Sequence, residues 1–286
     1  MINKALCQAG LDVLHRPVLP LLGIVEFLYV TGDFSTVEEV IAQLPETIET
    51  GYATYDDAAA LLAPYASLMQ PFVDLKAGKG PEQRVVTSEG EPVDAMTAVT
   101  ALVAQRILTQ ELEQINSLLC APCHCTLCCV GPDAAMAQAY FEIPLHTGEA
   151  DFFPLERIDS EASRVHRVDG ESPLHVAGRA FFDRPDPVLI HWQHGWSLIL
   201  PRGSRCPNLE TSGRCRIYPD RPQVCRRPQI FPYVLEPVAE EGQSGFRLRD
   251  SLLAVVDCPY VRLLQDEIAA YAAACELEMI FRHNKA

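Results

Sequence analysis

Apolar residues recur at mixed spacings of three and four positions along the first part of the chain, notably over residues 36–47 and 56–75. This spacing predicts two helices, each with one apolar face. Thr54 or Asp56 is suited to cap the second helix, because a short polar side chain accepts a hydrogen bond from the free N–H groups at a helix start. Residues 18–30 are apolar too, but Glu26 interrupts them and they fall short of the roughly 20 residues that cross a bilayer. We predict a buried helix there.

The clearest helical pattern begins near residues 92–94 and leads directly into the first cysteines of the chain. Its apolar positions share one broad face. They are Met96, Val99, Leu102, Val103, Ile107, Leu112, Ile115 and Leu119. Two interpretations stay open, a helix that presents the cysteine loop and a helix that only fills the core.

The pattern changes after residue 141 to short β-branched and aromatic runs between Pro, Gly and Asp, which predicts a small antiparallel sheet with a hairpin at residues 187–191 and 196–200. Residues 201–237 show little periodicity and are expected to form a loop, and residues 260–281 an amphipathic C-terminal helix. The predicted fold class is therefore α+β. It consists of a helical N-terminal region, residues 1–118, and a loop-rich, cysteine-ligated metal-binding domain, residues 119–286.

Composition narrows the possible partners. The chain of 286 residues carries a net charge of −15, which disfavours binding to nucleic acid or to an anionic membrane surface. The first ten residues are polar and lack the apolar core of a secretory signal, so we expect a cytoplasmic protein. Its 11 cysteines would then stay reduced, and metal binding explains their clustering better than disulfides do.

Five of these cysteines lie within ten residues, in the segment CAPCHCTLCC. Two-residue gaps let a tight turn direct two thiolates at one metal, as in zinc knuckles and iron–sulfur loops. Four further cysteines follow in turn-like contexts. The predicted metal ligands are Cys120, Cys123, Cys125, Cys128, Cys129, Cys206, Cys215, Cys225 and Cys258. Cys7 and Cys275 lie outside this set and are expected to be small core residues.

The CxxCC at Cys125–Cys129, the Cys-Pro pairs at Cys206 and Cys258, and the string GRCRIYPDRPQVCR over residues 213–226 resemble the YkgJ-type cysteine-cluster family, a zinc- or iron-chelating domain. The family pattern CxxCxxCC would place a cysteine where this chain has Pro122, so either Cys120 or Cys123 would substitute. The related flagellin lysine N-methylase group is thought to carry an iron–sulfur cluster. The resemblance therefore implies a 4Fe–4S cluster, with zinc as the alternative.

Seven arginines lie between residues 202 and 227 against two acids. They would offset the charge of an anionic thiolate centre, or form an Arg-biased solvated surface, or line a pocket for an anionic substrate. His124, His191 and His194 are possible zinc ligands but are better interpreted as structural. Trp192, Trp196 and Tyr218 are expected to shield the centre from water or to line a substrate pocket.

Three functions remain open. The first is a module that holds one or two cysteine-ligated iron–sulfur or zinc centres, with a redox or metal-handling role and a redox partner. The second, implied by the resemblance, is an iron–sulfur-dependent protein lysine methyltransferase that uses S-adenosylmethionine and a protein substrate. The third is an interaction scaffold that structural zinc stabilises.

Overall fold

The computed structural model describes residues 3–166, 172–227, 229–240 and 243–283. Helices and strands are mixed along the chain, which confirms the α+β class. The fold divides into two compact units. Unit 1 combines Met1–Pro122 with Gln229–Asn284, and unit 2 is Cys123–Pro228. These bounds differ from the two regions expected from the sequence, because the C-terminal part of the chain folds with the N-terminal helices.

Helices occur in each stretch where unit 1 was expected to be helical, but two of them differ from the prediction. The helix predicted for residues 36–47 ends at Ala42, and residues 56–75 form two α-helices separated by the 3₁₀ segment Ala63–Met69. The N-terminal segment of unit 1 contains α1 (Gln8–Leu14), α2 (Leu19–Thr31), α3 (Val37–Ala42), α4 (Ala58–Leu62), α5 (Gln70–Lys76) and α6 (Ala95–Cys123). Its C-terminal segment contains α8 (Pro259–Leu263) and α9 (Gln265–Ala274). Thr36 and Glu39 form a capping box on α3. Asp57 caps α4, whereas Thr54 and Asp56 belong to the short strand β2 (Thr54–Asp56), which pairs with β1 (Thr47–Glu49).

Helix α6 runs through the apolar core of unit 1. Asp94 starts it by accepting a hydrogen bond from the N–H of Thr97 at 3.0 Å. All the apolar positions predicted for its inner face are buried except Met96. Buried Asn116 holds the C-terminal segment against this helix, because its amide donates to the carbonyl of Ile230 at 2.6 Å and its oxygen accepts from the hydroxyl of Tyr260 at 2.7 Å.

A four-stranded sheet completes unit 1, and it corrects two predictions. It consists of β3 (Arg84–Val86), β10 (Ile230–Glu240), β11 (Gln243–Val255) and β12 (Glu278–Arg282), with β11 pairing with the other three. The loop predicted for residues 201–237 therefore ends before β10. The C-terminal helix likewise ends at Ala274, because the last apolar residues pair in parallel with β11 instead of extending α9.

Unit 2 is built on a second sheet. Its strands are β4 (Tyr140–Pro144), β5 (Arg157–Ile158), β8 (Val188–Trp192) and β9 (Gly195–Pro201), in the order β4-β9-β8-β5. Strands β8 and β9 form the predicted antiparallel hairpin. A short helix α7 (Glu161–Val165) and a small hairpin of β6 (His175–Val176) and β7 (Arg179–Ala180) also belong to this unit. Trp192 is fully buried in it.

One helical stretch in the described residues, Lys4–Thr31, is long and apolar enough to cross a membrane by length and composition alone. Core helices of soluble proteins and signal sequences meet the same criterion. Within it, α2 buries Leu21 and Val25 in unit 1, as the sequence predicts, but leaves Phe27 and Val30 exposed.

Candidate metal centre

The first cysteine segment begins where α6 ends. Pro122 lies inside the last turn of this helix, and Cys123 is its final residue. His124 then adopts a left-handed conformation with φ of 50°, which turns the chain out of the helix. The N–H of Cys129 donates to the carbonyl of Thr126 at 2.8 Å and closes a tight turn over Cys128. A tight turn thus overlaps the Cys125–Cys128 pair, whereas Cys120 and Cys123 lie in the last turns of α6 and not in a tight turn.

Backbone hydrogen bonds place Cys129 beside Cys206. The N–H of Cys206 donates to the carbonyl of Cys129 at 2.8 Å, and the N–H of Gly131 donates to the carbonyl of Ser204 at 2.9 Å. Gly131 is required here, because a Cβ on it would lie 1.9 Å from the carbonyl oxygen of Pro201. Two segments that are distant in sequence thus run antiparallel and bring their cysteines together.

A hairpin positions Cys215 against the turn that follows Cys206. The N–H of Arg216 donates to the carbonyl of Asn208 at 2.8 Å, and the N–H of Glu210 donates to the carbonyl of Arg214 at 2.8 Å. Asn208 is buried, and its amide donates to the carbonyl of Phe152 at 3.0 Å, which ties the hairpin to the rest of unit 2.

Cys225 lies in a one-turn 3₁₀ helix, Gln223–Arg226. Its N–H donates to the carbonyl of Pro222 at 2.9 Å, and the carboxylate of Glu149 accepts from the N–H of Gln223 at 2.8 Å. These contacts fix the start of the turn within unit 2.

The thiols of Cys129, Cys206, Cys215 and Cys225 interact with one another. Burial chiefly, together with the nearby thiols of Cys129, Cys206 and Cys215, raises the pKa of the Cys225 thiol to about 12. Burial also raises the pKa of the Cys206 thiol, to which the Cys215 thiol adds. These shifts agree with the backbone pairing that joins Cys129 to Cys206 and the turn after Cys206 to the Cys215 hairpin. Four cysteines from both predicted groups therefore converge in unit 2.

A buried arginine accompanies these thiols. Arg221 is 5% exposed, and its guanidinium lies 3.9 Å from the ring centroid of Tyr218. The positive charge of Arg221 lowers the pKa of the Cys225 thiol, against the larger effect of burial. A buried guanidinium is favoured near anionic groups, so the place of Arg221 near the Cys225 thiol suits a centre that carries negative charge.

The other five predicted ligands lie in different places in the fold. Cys123, Cys125 and Cys128 share the 123–129 loop, with Cys128 exposed. Cys120 and Cys258 belong to unit 1, where Cys258 is 3% exposed and precedes the first residue of α8. None of the 11 cysteines is in a disulfide.

The predicted histidines have other partners. The Nε2 of His194 lies 3.3 Å from a carboxylate oxygen of Glu142, and the His191 ring packs edge-on against Trp196. His124 is exposed in the cysteine loop. These contacts agree with structural roles for His191 and His194.

The donor set fits zinc or an iron–sulfur cluster, because both take four thiolates. Cys206 packs against the apolar cluster that contains Leu189, Leu198 and Leu200, which limits access of water. However, in the part of the chain that the structure describes, no group of three or more His, Cys, Asp or Glu side chains has a spacing that could hold a metal ion. In this structure the four thiols are not arranged as metal ligands.

Two residues of this region were not singled out from the sequence. Gly131 is needed for the close approach of two chain segments, and a lone glycine gives no signal of such a contact. Arg221 was one of seven arginines, and only its burial distinguishes it from the others.

Comparisons with family models, with curated proteins and with solved structures gave no match to this chain. The resemblance of its cysteine motifs to the YkgJ-type family therefore stays a prediction.

Proposed function

We propose that this protein binds an inorganic centre through the thiolates of Cys129, Cys206, Cys215 and Cys225. The observation that carries the proposal is the convergence of these four cysteines, from distant parts of the sequence, in unit 2. Four thiolates are the complete ligand set of a structural zinc site or of one iron–sulfur cluster. Buried Arg221 supplies a positive charge that such a centre would offset.

Binding would require the four thiols to move closer together than they lie here. Such movement is expected of a metal site formed by loops, because the energy of ligation is also folding energy for the segments that supply the ligands. The hairpin of Cys215 and the 3₁₀ turn of Cys225 are short loop segments of this kind. The thiols of Cys123, Cys125 and Cys128 would then be able to bind a second centre, or to replace one of the four ligands of the first.

An iron–sulfur cluster is the form we favour, because the flagellin lysine N-methylase group that the motif resembles is thought to carry one. Zinc in the same four-thiolate site is the alternative. A redox or metal-handling role follows from the first, and a structural role from the second. Both predict metal in stoichiometric amount, and they differ in colour and in acid-labile sulfide.

The experiment is anaerobic purification followed by analysis of iron, zinc and sulfide per chain. An iron–sulfur cluster predicts brown protein with absorbance at about 400 nm, whereas zinc predicts colourless protein. Cys225→Ser should lower the metal content strongly. Cys7→Ala removes a buried thiol of unit 1 and serves as the matched control, with unchanged metal content. Equal metal content in the two variants would contradict the assigned ligand set.

A further inference from the structure

Charge is distributed unevenly over this acidic chain. Residues 201–228 carry seven arginines against Glu210 and Asp220, a net of +5 in a chain whose total is −15. This segment contains Cys206, Cys215 and Cys225. Positive charge is therefore concentrated where the proposed centre lies.

Some of these arginines have contacts that explain them. Arg202 donates to the carbonyls of Asp133, Met136 and Gln138 at 2.6 to 3.0 Å and so holds a neighbouring loop. Arg221 is buried over Tyr218, and the Nε of Arg226 donates to the Arg221 carbonyl at 3.0 Å. Such arginines serve the fold of unit 2.

Arg205, Arg214 and Arg216 differ from them. All three are exposed, and within the described ranges their guanidinium groups make no ion pair and no hydrogen bond. Their charges are thus available to another molecule. We call these three residues the arginine surface.

The arginine surface borders the proposed ligands. Arg205 immediately precedes Cys206, and Arg214 and Arg216 flank Cys215. The backbone pairing already described brings these two cysteines together, so their arginine neighbours lie around one region of unit 2. The cysteine loop reaches the same hairpin, because a Cβ at Gly213 would lie 3.3 Å from the carbonyl oxygen of His124.

An exposed apolar residue belongs to the same loop. Leu127 is 43% exposed and is followed by exposed Cys128. Arginine is among the residues enriched at protein interfaces, and Leu127 adds exposed apolar area to the same region. A nucleic acid would instead require many phosphate contacts along an extended basic surface, in a chain that is otherwise strongly acidic.

We propose that the arginine surface, together with Leu127, docks an acidic protein partner at the edge of the proposed thiolate centre. Guanidinium groups pair with carboxylates in a bidentate way, and a local positive patch guides an acidic partner to one face. The rest of the chain, with its excess of acids, would repel the same partner and so direct it to this region. The position of the docking face beside the centre rests on the proposed function, whereas the arginine dependence of binding does not.

The test uses a fluorescein-labelled poly-L-glutamate peptide of about 20 residues, a length that exceeds the reach of three guanidinium groups. Fluorescence anisotropy at low salt measures its binding to the purified full chain. Arg214→Gln with Arg216→Gln should weaken binding on the order of fivefold to tenfold, since each exposed ion pair contributes a modest amount. Added salt should weaken wild-type binding in the same direction.

The matched control removes two exposed arginines elsewhere, by Arg84→Gln with Arg179→Gln. It changes net charge equally and should leave binding unchanged. Equal weakening by both pairs would overturn the proposal, because binding would then depend on net charge alone. Tighter binding of a 20-nucleotide single strand, with loss in the Arg214/Arg216 variant, would also overturn it in favour of nucleic acid.

Metal analysis of the same samples separates this proposal from the proposed function. Wild-type metal content in the Arg214/Arg216 variant, with weaker peptide binding, supports a docking role. Loss of metal from that variant would overturn the docking role and assign the arginines to the centre itself. Wild-type protein that binds the peptide through these arginines but never holds metal would refute the centre and leave the docking surface standing.

Discussion

Glu111 should make the stability of this protein fall as pH rises through neutrality. This glutamate lies on α6 and is fully buried. Its two carboxylate oxygens accept from the N–H of Val18 at 3.0 Å and from the hydroxyl of Tyr271 at 2.6 Å. Burial raises the pKa of Glu111 to about 7, and these two hydrogen bonds oppose the shift only in part. The folded state therefore holds a proton that the unfolded state has already released.

The sign and size of the effect follow from linkage. The pKa of a glutamate in an unfolded chain is about 4.5. The contribution of Glu111 to the free energy of unfolding is therefore complete below that pH, and it is lost as the pH rises past the folded-state pKa of about 7. A difference of about 2.5 pKa units corresponds to about 3 kcal/mol. Burial raises the pKa of Tyr271 and of the nearby Cys275 thiol well above their usual values, so neither group adds a transition between pH 5 and 8.

Urea unfolding of wild type and of Glu111→Gln at several values between pH 5 and 8 measures this effect. The difference in free energy of unfolding between the two proteins should change by about 2.5 kcal/mol between pH 5 and 8, in favour of the glutamine variant at high pH. Glu46→Gln replaces an exposed glutamate of the same unit and should run parallel to wild type. Parallel curves for wild type and Glu111→Gln would refute the reasoning.

Three further predictions concern the centre. Cys225→Ser should lose most of its metal and on the order of 3 kcal/mol or more of unfolding free energy, measured by elemental analysis and urea titration, whereas Cys7→Ala should keep its metal. Gly131→Ala should lower the free energy of unfolding by about 1–3 kcal/mol and also lower the metal content, because its Cβ would lie 1.9 Å from a carbonyl oxygen. Gly51→Ala, which has open space around its Cβ, is the control and should not lower the metal content. If the centre is an iron–sulfur cluster, Arg221→Leu should lower its reduction potential in a redox titration, because losing a nearby positive charge disfavours the more negative reduced state; an unchanged potential would contradict the role of Arg221.

Local patterns predicted the local parts of the fold. The β8–β9 hairpin follows from two short apolar runs separated by a turn, and α6 follows from its long apolar stripe. The backbone hydrogen bonds of both elements join residues close in sequence, and the apolar pattern of each lies within one short segment, so a short window contains the signal.

Elements that depend on distant partners were missed. Pro232 and Pro237 argue against a strand, yet β10 lies at the edge of its sheet and pairs with β11, so its prolines remove few sheet hydrogen bonds. The strand β12 pairs in parallel with β11, and its short apolar run has the same composition as the end of a buried helix. Only the tertiary pairing distinguishes the two.

In the candidate site, too, the sequence predicted local features and missed those that depend on distant contacts. Cysteine spacing predicted nine metal ligands, but spacing alone does not tell which of the nine thiols lie near one another. The structure brings together Cys129, Cys206, Cys215 and Cys225, and the bond that aligns the first two depends on the close approach at Gly131. Such an approach depends on packing and leaves no pattern in the sequence.

Metal analysis of anaerobically purified protein tests the central claim most directly. We predict stoichiometric metal, as iron with sulfide or as zinc, that Cys225→Ser abolishes and Cys7→Ala retains. A wild-type chain that unfolds cooperatively without any metal, and takes up neither iron with sulfide nor zinc when these are supplied, would contradict the account.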